Sequence, residues 1–389
     1  MPLHAPSRFL INPSVRARFG ERAERLGPRY FEGDPPADKA FASIRSLPAA
    51  ERNALVDQAL QGQAPGAPAP LLALVEAGRQ TPFWVDFPRV DRGGATFLRT
   101  GPLGGLLLGC YSLTASYCSP AGNKPLTFSG RLEEEAPRRL AETGRFVQLV
   151  AQPGALLPGG PGWCAALKVR LMHAAVRAFC AASPRWDRQA WGVPINAPDI
   201  AGTGLLFSWV ILDGLDRLGL GPPVQDREDL MHQWRYVSWL LGAPEDLLWS
   251  CEADARWYWE LLLATQGDPD QDARRLAQAL FASGARAPSP EARARARRMA
   301  PINHALSRFF LGDEIGDKLG LERNGLRFVL PSMARLLSGS NRLLHQIPPL
   351  RATSVERGAR YWQFIVDQGL QGVPAEFSIP ERFRGAPPP

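Results

Sequence analysis

The sequence predicts an all-α fold. From Leu71 to about Thr265 apolar residues recur at helical spacing, and few alternating Val, Ile and Thr runs mark strands. Proline and glycine clusters punctuate the periodic stretches, as they do between helices. With 389 residues, 45% of them hydrophobic, there is material for one large domain or two ordinary ones around a substantial core.

In chain order, residues 1–70 read as an irregular, charged, proline-rich extension with one amphipathic helical stretch near Asp38 to Leu60. The linker-like GQAPGAPAP, ending at Pro70, closes it. Residues 71–265 form the expected helical core. Within it, PLGGLLLGCYSLTA from Pro102 to Ala115 is too short and glycine-rich to span a bilayer. It reads as a buried helix lying close to a neighbour or to a flat cofactor. PGALLPGGPG, from Pro153 to Gly162, precedes a helix that carries His173 and ends at SPRW from Ser183. The loop WGVPINAPD from Trp191 ends in Asp199, the expected N-cap of a helix through Thr203, Phe207, Trp209 and Leu215 to about Leu218. A further helix begins near Asp226 or Arg227, carries His232, Trp234, Arg235 and Trp239, and stops at Gly242. After a polar hinge at Gln266 to Gln271, residues 266–389 form a C-terminal helical extension. Its EARARARR stretch, Glu291 to Arg298, reads as a solvated helix face, and the RGAPPP end reads as disordered.

Several function classes are disfavoured. The formal charge is +7, but Lys39, Lys124, Lys168 and Lys318 are the only lysines. Arginine spread along the chain, without aromatic interleaving or a nucleic-acid motif, argues against a nucleic-acid partner. The five cysteines show no CxxC pairing, which points away from disulfides and zinc and towards a reducing, cytoplasmic setting. The N-terminus has no apolar signal core, and no apolar run reaches the length of a transmembrane helix, so the arginine stretch leaves only peripheral membrane contact open. Walker A, HExxH, GxSxG and internal repeats are absent.

The chemistry concentrates in KVRLMHAAVR, Lys168 to Arg177. Arg170, His173 and Arg177 stand at i, i+3 and i+7, along one stripe of an otherwise apolar helix with Val169, Met172, Val176 and Phe179. Two guanidiniums flanking an imidazole are costly to bury unless an anion meets them. Haem suits that need: its iron takes a neutral imidazole and its propionates take arginines. An ordinary hydrogen-bonded core histidine is the alternative. Upstream, RRLAETGRFV places Arg139, Glu142 and Thr143 on one helix face, where Arg139 and Glu142 could also simply pair as ions. His232 has polar neighbours in Asp229 and Arg235 and reads as a core histidine. His304, His345 and His4 read as bystanders.

RRLAETGRFV, RLMHAAVR, GVPIN and HQWRYVSWLLG, in this order, together with the lead-in YFEGDPPADKAF, resemble the family of the fungal mpaB oxygenases and the bacterial latex clearing rubber oxygenases. The resemblance covers most of residues 30 to 260. It implies a globin-like helical core with additional N- and C-terminal helices, holding haem b, and cleavage of a carbon-carbon double bond of an isoprenoid chain. On that footing His173 is the proximal iron ligand, and Arg170 and Arg177 steady the haem propionates or the helix itself. Arg139, Glu142 and Thr143 match the distal segment, with Glu142 where the latex clearing proteins carry a lysine. The expected function is a haem-dependent oxygenase acting with O2 on an apolar small molecule, isoprenoid-like or an unsaturated lipid, through residues near Leu106 to Tyr111 and Phe207. A non-catalytic haem carrier or sensor on the same fold and a cofactor-free helical scaffold are the alternatives.

Overall fold

The computed structural model describes residues 5–128, 132–286, 289–330, 332, 348–375 and 377–383. His4, His345 and the RGAPPP end lie outside them. Every regular element among the described residues is helical, as the apolar spacing predicts.

The first seventy residues are more ordered than their composition suggests. They form four helices, Pro13–Phe19, Glu21–Arg29, Pro35–Ile44 and Ala49–Leu60. The helix expected from Asp38 to Leu60 is split, because Pro48 cannot continue a helix and instead precedes the second one. Part of the presumed linker is core: Ala64 and Ala67 are buried, and Ala69 already opens the Ala69–Arg79 helix.

At the centre lies the histidine helix, Pro161–Ala181. It packs against Pro35–Ile44, which we call the carboxylate helix, against the Leu132–Val150 helix, and against the Val224–Leu240 helix that bears His232. The C-terminal Pro348–Leu370 helix lies across Leu132–Val150 and Phe87–Arg99. One apolar core includes residues from Phe9 to Phe383, so the N-terminal, central and C-terminal stretches all contribute to it. A smaller cluster gathers Tyr117, Leu276, Leu319 and Leu321.

Two local departures from the sequence reading shape the centre. The helix expected from Asp199 to Leu218 breaks at Ser208 (φ −120°, ψ −86°) into Ala197–Phe207 and Trp209–Arg217. Asn196, not Asp199, is its N-cap, its side-chain oxygen accepting from the Asp199 N–H at 3.0 Å. The glycine-rich stretch begins as an α-helix, Pro102–Leu107, then widens into a π-helix, Leu108–Leu113, a form often found at functional sites. The wide turn is pinned from outside: Tyr111 donates to Asp213 at 2.7 Å and stacks on Phe310, and Ser112 donates to the Leu206 carbonyl at 2.6 Å. Gly104 and Gly105 face Thr100, Tyr361 and Trp362, which is helix packing, whereas a Cβ at Gly109 would meet nothing within 4 Å.

Packing of Phe87–Arg99 on the His232 helix depends on a close backbone approach. A Cβ at Gly93 would lie 2.3 Å from the Asp229 carbonyl oxygen and 2.8 Å from Gln233 Cβ. Gly93→Ala gains about 1 kcal/mol of helix propensity but forces two backbones apart, which costs about 1–3 kcal/mol or more. A lower melting temperature is the expected result in a thermal melt. An unchanged or higher value contradicts this packing.

Candidate cofactor site

The histidine helix starts where the sequence can start one. Gly160 is its N-cap and Pro161 occupies the first turn, where its missing N–H costs nothing. The Trp163 N–H is satisfied by the Ala155 carbonyl at 2.9 Å, across a loop turned by the positive-φ residues Gly154 and Gly159. Ala165, Ala166, Ala174 and Ala175 are buried, letting neighbouring helices come close, while Trp163, Leu167 and Leu171 anchor the helix in the core.

His173 sits mid-helix with its ring half-buried. Its Nδ1 is sealed from solvent and has no hydrogen-bond partner. The ring's remaining accessible surface therefore belongs to its other atoms, among the partly buried Val169, Met172 and Val176. Burial, and after it the positive charge of Arg177, pulls the imidazole pKa down to about 4, with Asp34 pulling weakly the other way. At neutral pH His173 is thus an uncharged imidazole with a nitrogen unused by the protein, the form in which histidine binds a metal.

The anions that meet the two arginines come from the carboxylate helix. Arg170 donates from Nε and Nη2 to the two oxygens of Asp34, at 2.6 and 2.9 Å. Arg177 donates from Nε to Asp38 at 2.8 Å and from Nη1 to the Ile195 carbonyl at 2.8 Å, leaving Nη2 sealed without a partner. Neither carboxylate was singled out from sequence. Their i, i+4 spacing in GDPPADK, inside the lead-in, was the available signal.

Arg139, Glu142 and Thr143 share one helix, Leu132–Val150, which packs against the histidine helix, but they do not form one cluster. Glu142 accepts from Arg138 Nε at 2.7 Å, an i, i+4 pair in place of the expected i, i+3 pair with Arg139. Arg138 also holds the carbonyls of Val373 and Pro374, so this pair faces the C-terminal segment. Arg139 acts on Tyr117, whose hydroxyl is pushed up to about 12 by burial and pulled back by that positive charge. Thr143 is exposed. Phe207, expected beside the substrate, stacks on Trp234 at 4.7 Å, while Trp209 is buried against Trp259.

The other described histidines are engaged. His232 Nε2 accepts from the Asp86 N–H at 3.0 Å, and His304 Nδ1 accepts from the Glu322 N–H at 3.1 Å with its ring on Phe281. Among the described residues no three His, Cys, Asp or Glu converge on a possible metal position.

Against known proteins, the profile of the family described as "ER-bound oxygenase mpaB/B'/Rubber oxygenase, catalytic domain" matches residues 98–338. The chain belongs to this family. Relative to the rubber oxygenase of Streptomyces sp. (strain K30) it is 28% identical over 355 residues, 86% of this chain and 81% of that protein. The structure of latex clearing protein LCP in the closed state matches with a TM-score of 0.69 at 23% identity, covering 86% of this chain and 91% of that one, a likeness of fold. This rubber oxygenase family member carries Arg139, Glu142, Thr143, Arg170, His173 and Arg177 within the profile match. The profile match itself runs from residue 98 to residue 338, while the relative and the solved structure each cover 86% of the chain and so take in most of residues 30–260. Among the described residues no helix is long and apolar enough to cross a membrane.

Proposed function

We propose that this rubber oxygenase family member is a haem-b-dependent oxygenase that oxidises or cleaves a carbon-carbon double bond of an apolar, isoprenoid-like or unsaturated lipid substrate with O2. The observation that carries the reading is His173, a neutral, part-buried imidazole whose Nδ1 is sealed inside the fold while Nε2 is neither sealed nor hydrogen-bonded among the described residues. Haem, when bound, supplies the oxygen-activating chemistry. The protein's part is binding, orientation and exclusion of water. His173 offers its lone pair and stays uncharged because burial disfavours the imidazolium. Glu142 keeps a carboxylate, paired with Arg138, on the segment that the resemblance assigns to the distal side, and Thr143 offers an accessible hydroxyl one residue on.

The test is oxygen uptake by haem-loaded, full-length protein given a short oligoisoprenoid, with trapping of carbonyl products as hydrazones. Oxygen consumption matched by new aldehyde or ketone is the expected result. A persistent oxygen complex that leaves the alkene intact refutes the oxygenase and favours a haem carrier.

A further inference from the structure

We propose that Asp34 and Asp38 are positioning residues: two carboxylates of one helix that grip Arg170 and Arg177 and thereby fix the rotation and height of His173. The proposal rests on the reading of His173 as the cofactor ligand. Arg170 lies three residues before His173 and Arg177 four after, so the two grips are about 10.5 Å apart along the helix axis with the imidazole between them. Core packing already holds the helix as a whole, and one ion pair pins its rotation at a single level. Two, on both sides of the ligand, set rotation and height at the level of His173 itself.

The contacts are directional. Asp34 is 3% exposed and meets Arg170 through both oxygens, the planar fork geometry that constrains orientation most. As N-cap of the carboxylate helix it also accepts from the Ala37 N–H, so the grip is built into the start of that helix. The seat around it is cleared of side chains. A Cβ at Gly242, itself at φ +97°, would lie 2.3 Å from Asp34 Oδ2 and 2.9 Å from Arg170 Nε, and one at Gly33 would lie 3.2 Å from Arg177 Cδ. Arg177, 4% exposed, recruits a third element through the Ile195 carbonyl. Ile195 adopts φ +49°, a conformation unfavourable for a β-branched residue, within a loop whose Val193 and Ala197 N–H groups bond the carbonyls of Tyr30 and Glu32. The Arg170–Asp34 pair is buried and the Arg177–Asp38 pair half-exposed at Asp38, and neither class of ion pair adds much net stability compared with apolar packing, so their placement on both sides of one histidine points to geometry as what is gained.

The experiment compares full-length Asp34→Asn and Asp38→Asn with Asp226→Asn, which breaks another buried pair, Arg99 with Asp226, that includes no residue of the histidine helix. Hydrogen exchange of cofactor-free protein reads residues 167–180. Exchange there is expected to rise at least tenfold in Asp34→Asn and in Asp38→Asn, to recover in Asp38→Glu, and to stay at the wild-type rate in Asp226→Asn even though that variant also melts earlier. In haem-loaded, reduced protein the iron-imidazole stretching band is expected to shift or broaden only in the first two. Equal loosening by Asp226→Asn, or a band unmoved in Asp34→Asn and Asp38→Asn, overturns the proposal. Wild-type protein that takes up no haem defeats the oxygenase reading instead, and the exchange measurement then decides by itself whether the two grips hold the helix.

Discussion

Protein carrying His173→Ala, expressed with ample haem, is expected to purify colourless, without the Soret absorption of the wild type. The effect is close to all-or-none because no other described histidine is placed to substitute. The His232 ring is occupied by the Asp86 N–H and the His304 ring by the Glu322 N–H. His232→Ala is therefore the matched control and should retain the pigment. Folding should survive in the first variant. Removing an imidazole whose Nδ1 is buried and unpartnered relieves a polar group of its desolvation, which offsets much of the cavity created, so the melting temperature of cofactor-free protein should stay near wild type. A colourless wild type, or a variant as coloured as wild type, ends the assignment.

Acid should begin to weaken the cofactor-free protein above the range in which carboxylates titrate. Burial lowers the pKa of both His173 and His232 to about 4 in the folded chain, against an ordinary value of 6.5. The unfolded chain therefore binds more protons than the folded one between pH 6.5 and 4, and stability rises with pH across that window. Read downwards, each histidine withdraws stabilisation as pH falls from 6.5 towards 4, up to about 3 kcal/mol apiece at 1.36 kcal/mol per pH unit. Urea midpoints at pH 7, 5.5 and 4.5 should fall in that order, and His173→Leu should flatten the decline by roughly half. A midpoint constant from pH 7 to 4.5 would show that these rings protonate freely in the folded state.

Much of the fold was legible in the sequence for a simple reason. Periodicity is local, and the stripe of Arg170, His173 and Arg177 needs only the 3.6-residue repeat to be read. The helix stops at Gly242 and after Ala181 follow from glycine and proline in the same way. What escaped was set by tertiary contacts. Asp34 and Arg170 are 136 residues apart, and nothing local to either announces the other. The break falls at Ser208, a lone polar residue inside the apolar run LLFSWVIL that helical spacing alone carries through, and the π-turn at Leu108–Leu113 is held by Asp213, Phe310 and Leu206 from elsewhere in the chain. Glu142 had two arginines within reach on its own helix. Which one it chose was decided by the C-terminal segment, whose carbonyls hold Arg138 in place.

The charge balance around His173 has a bearing on how a cofactor would lie. Each of the two cationic side chains there already holds a carboxylate of this chain, so any anionic group that reached them would have to compete with Asp34 and Asp38 for the same guanidinium edges.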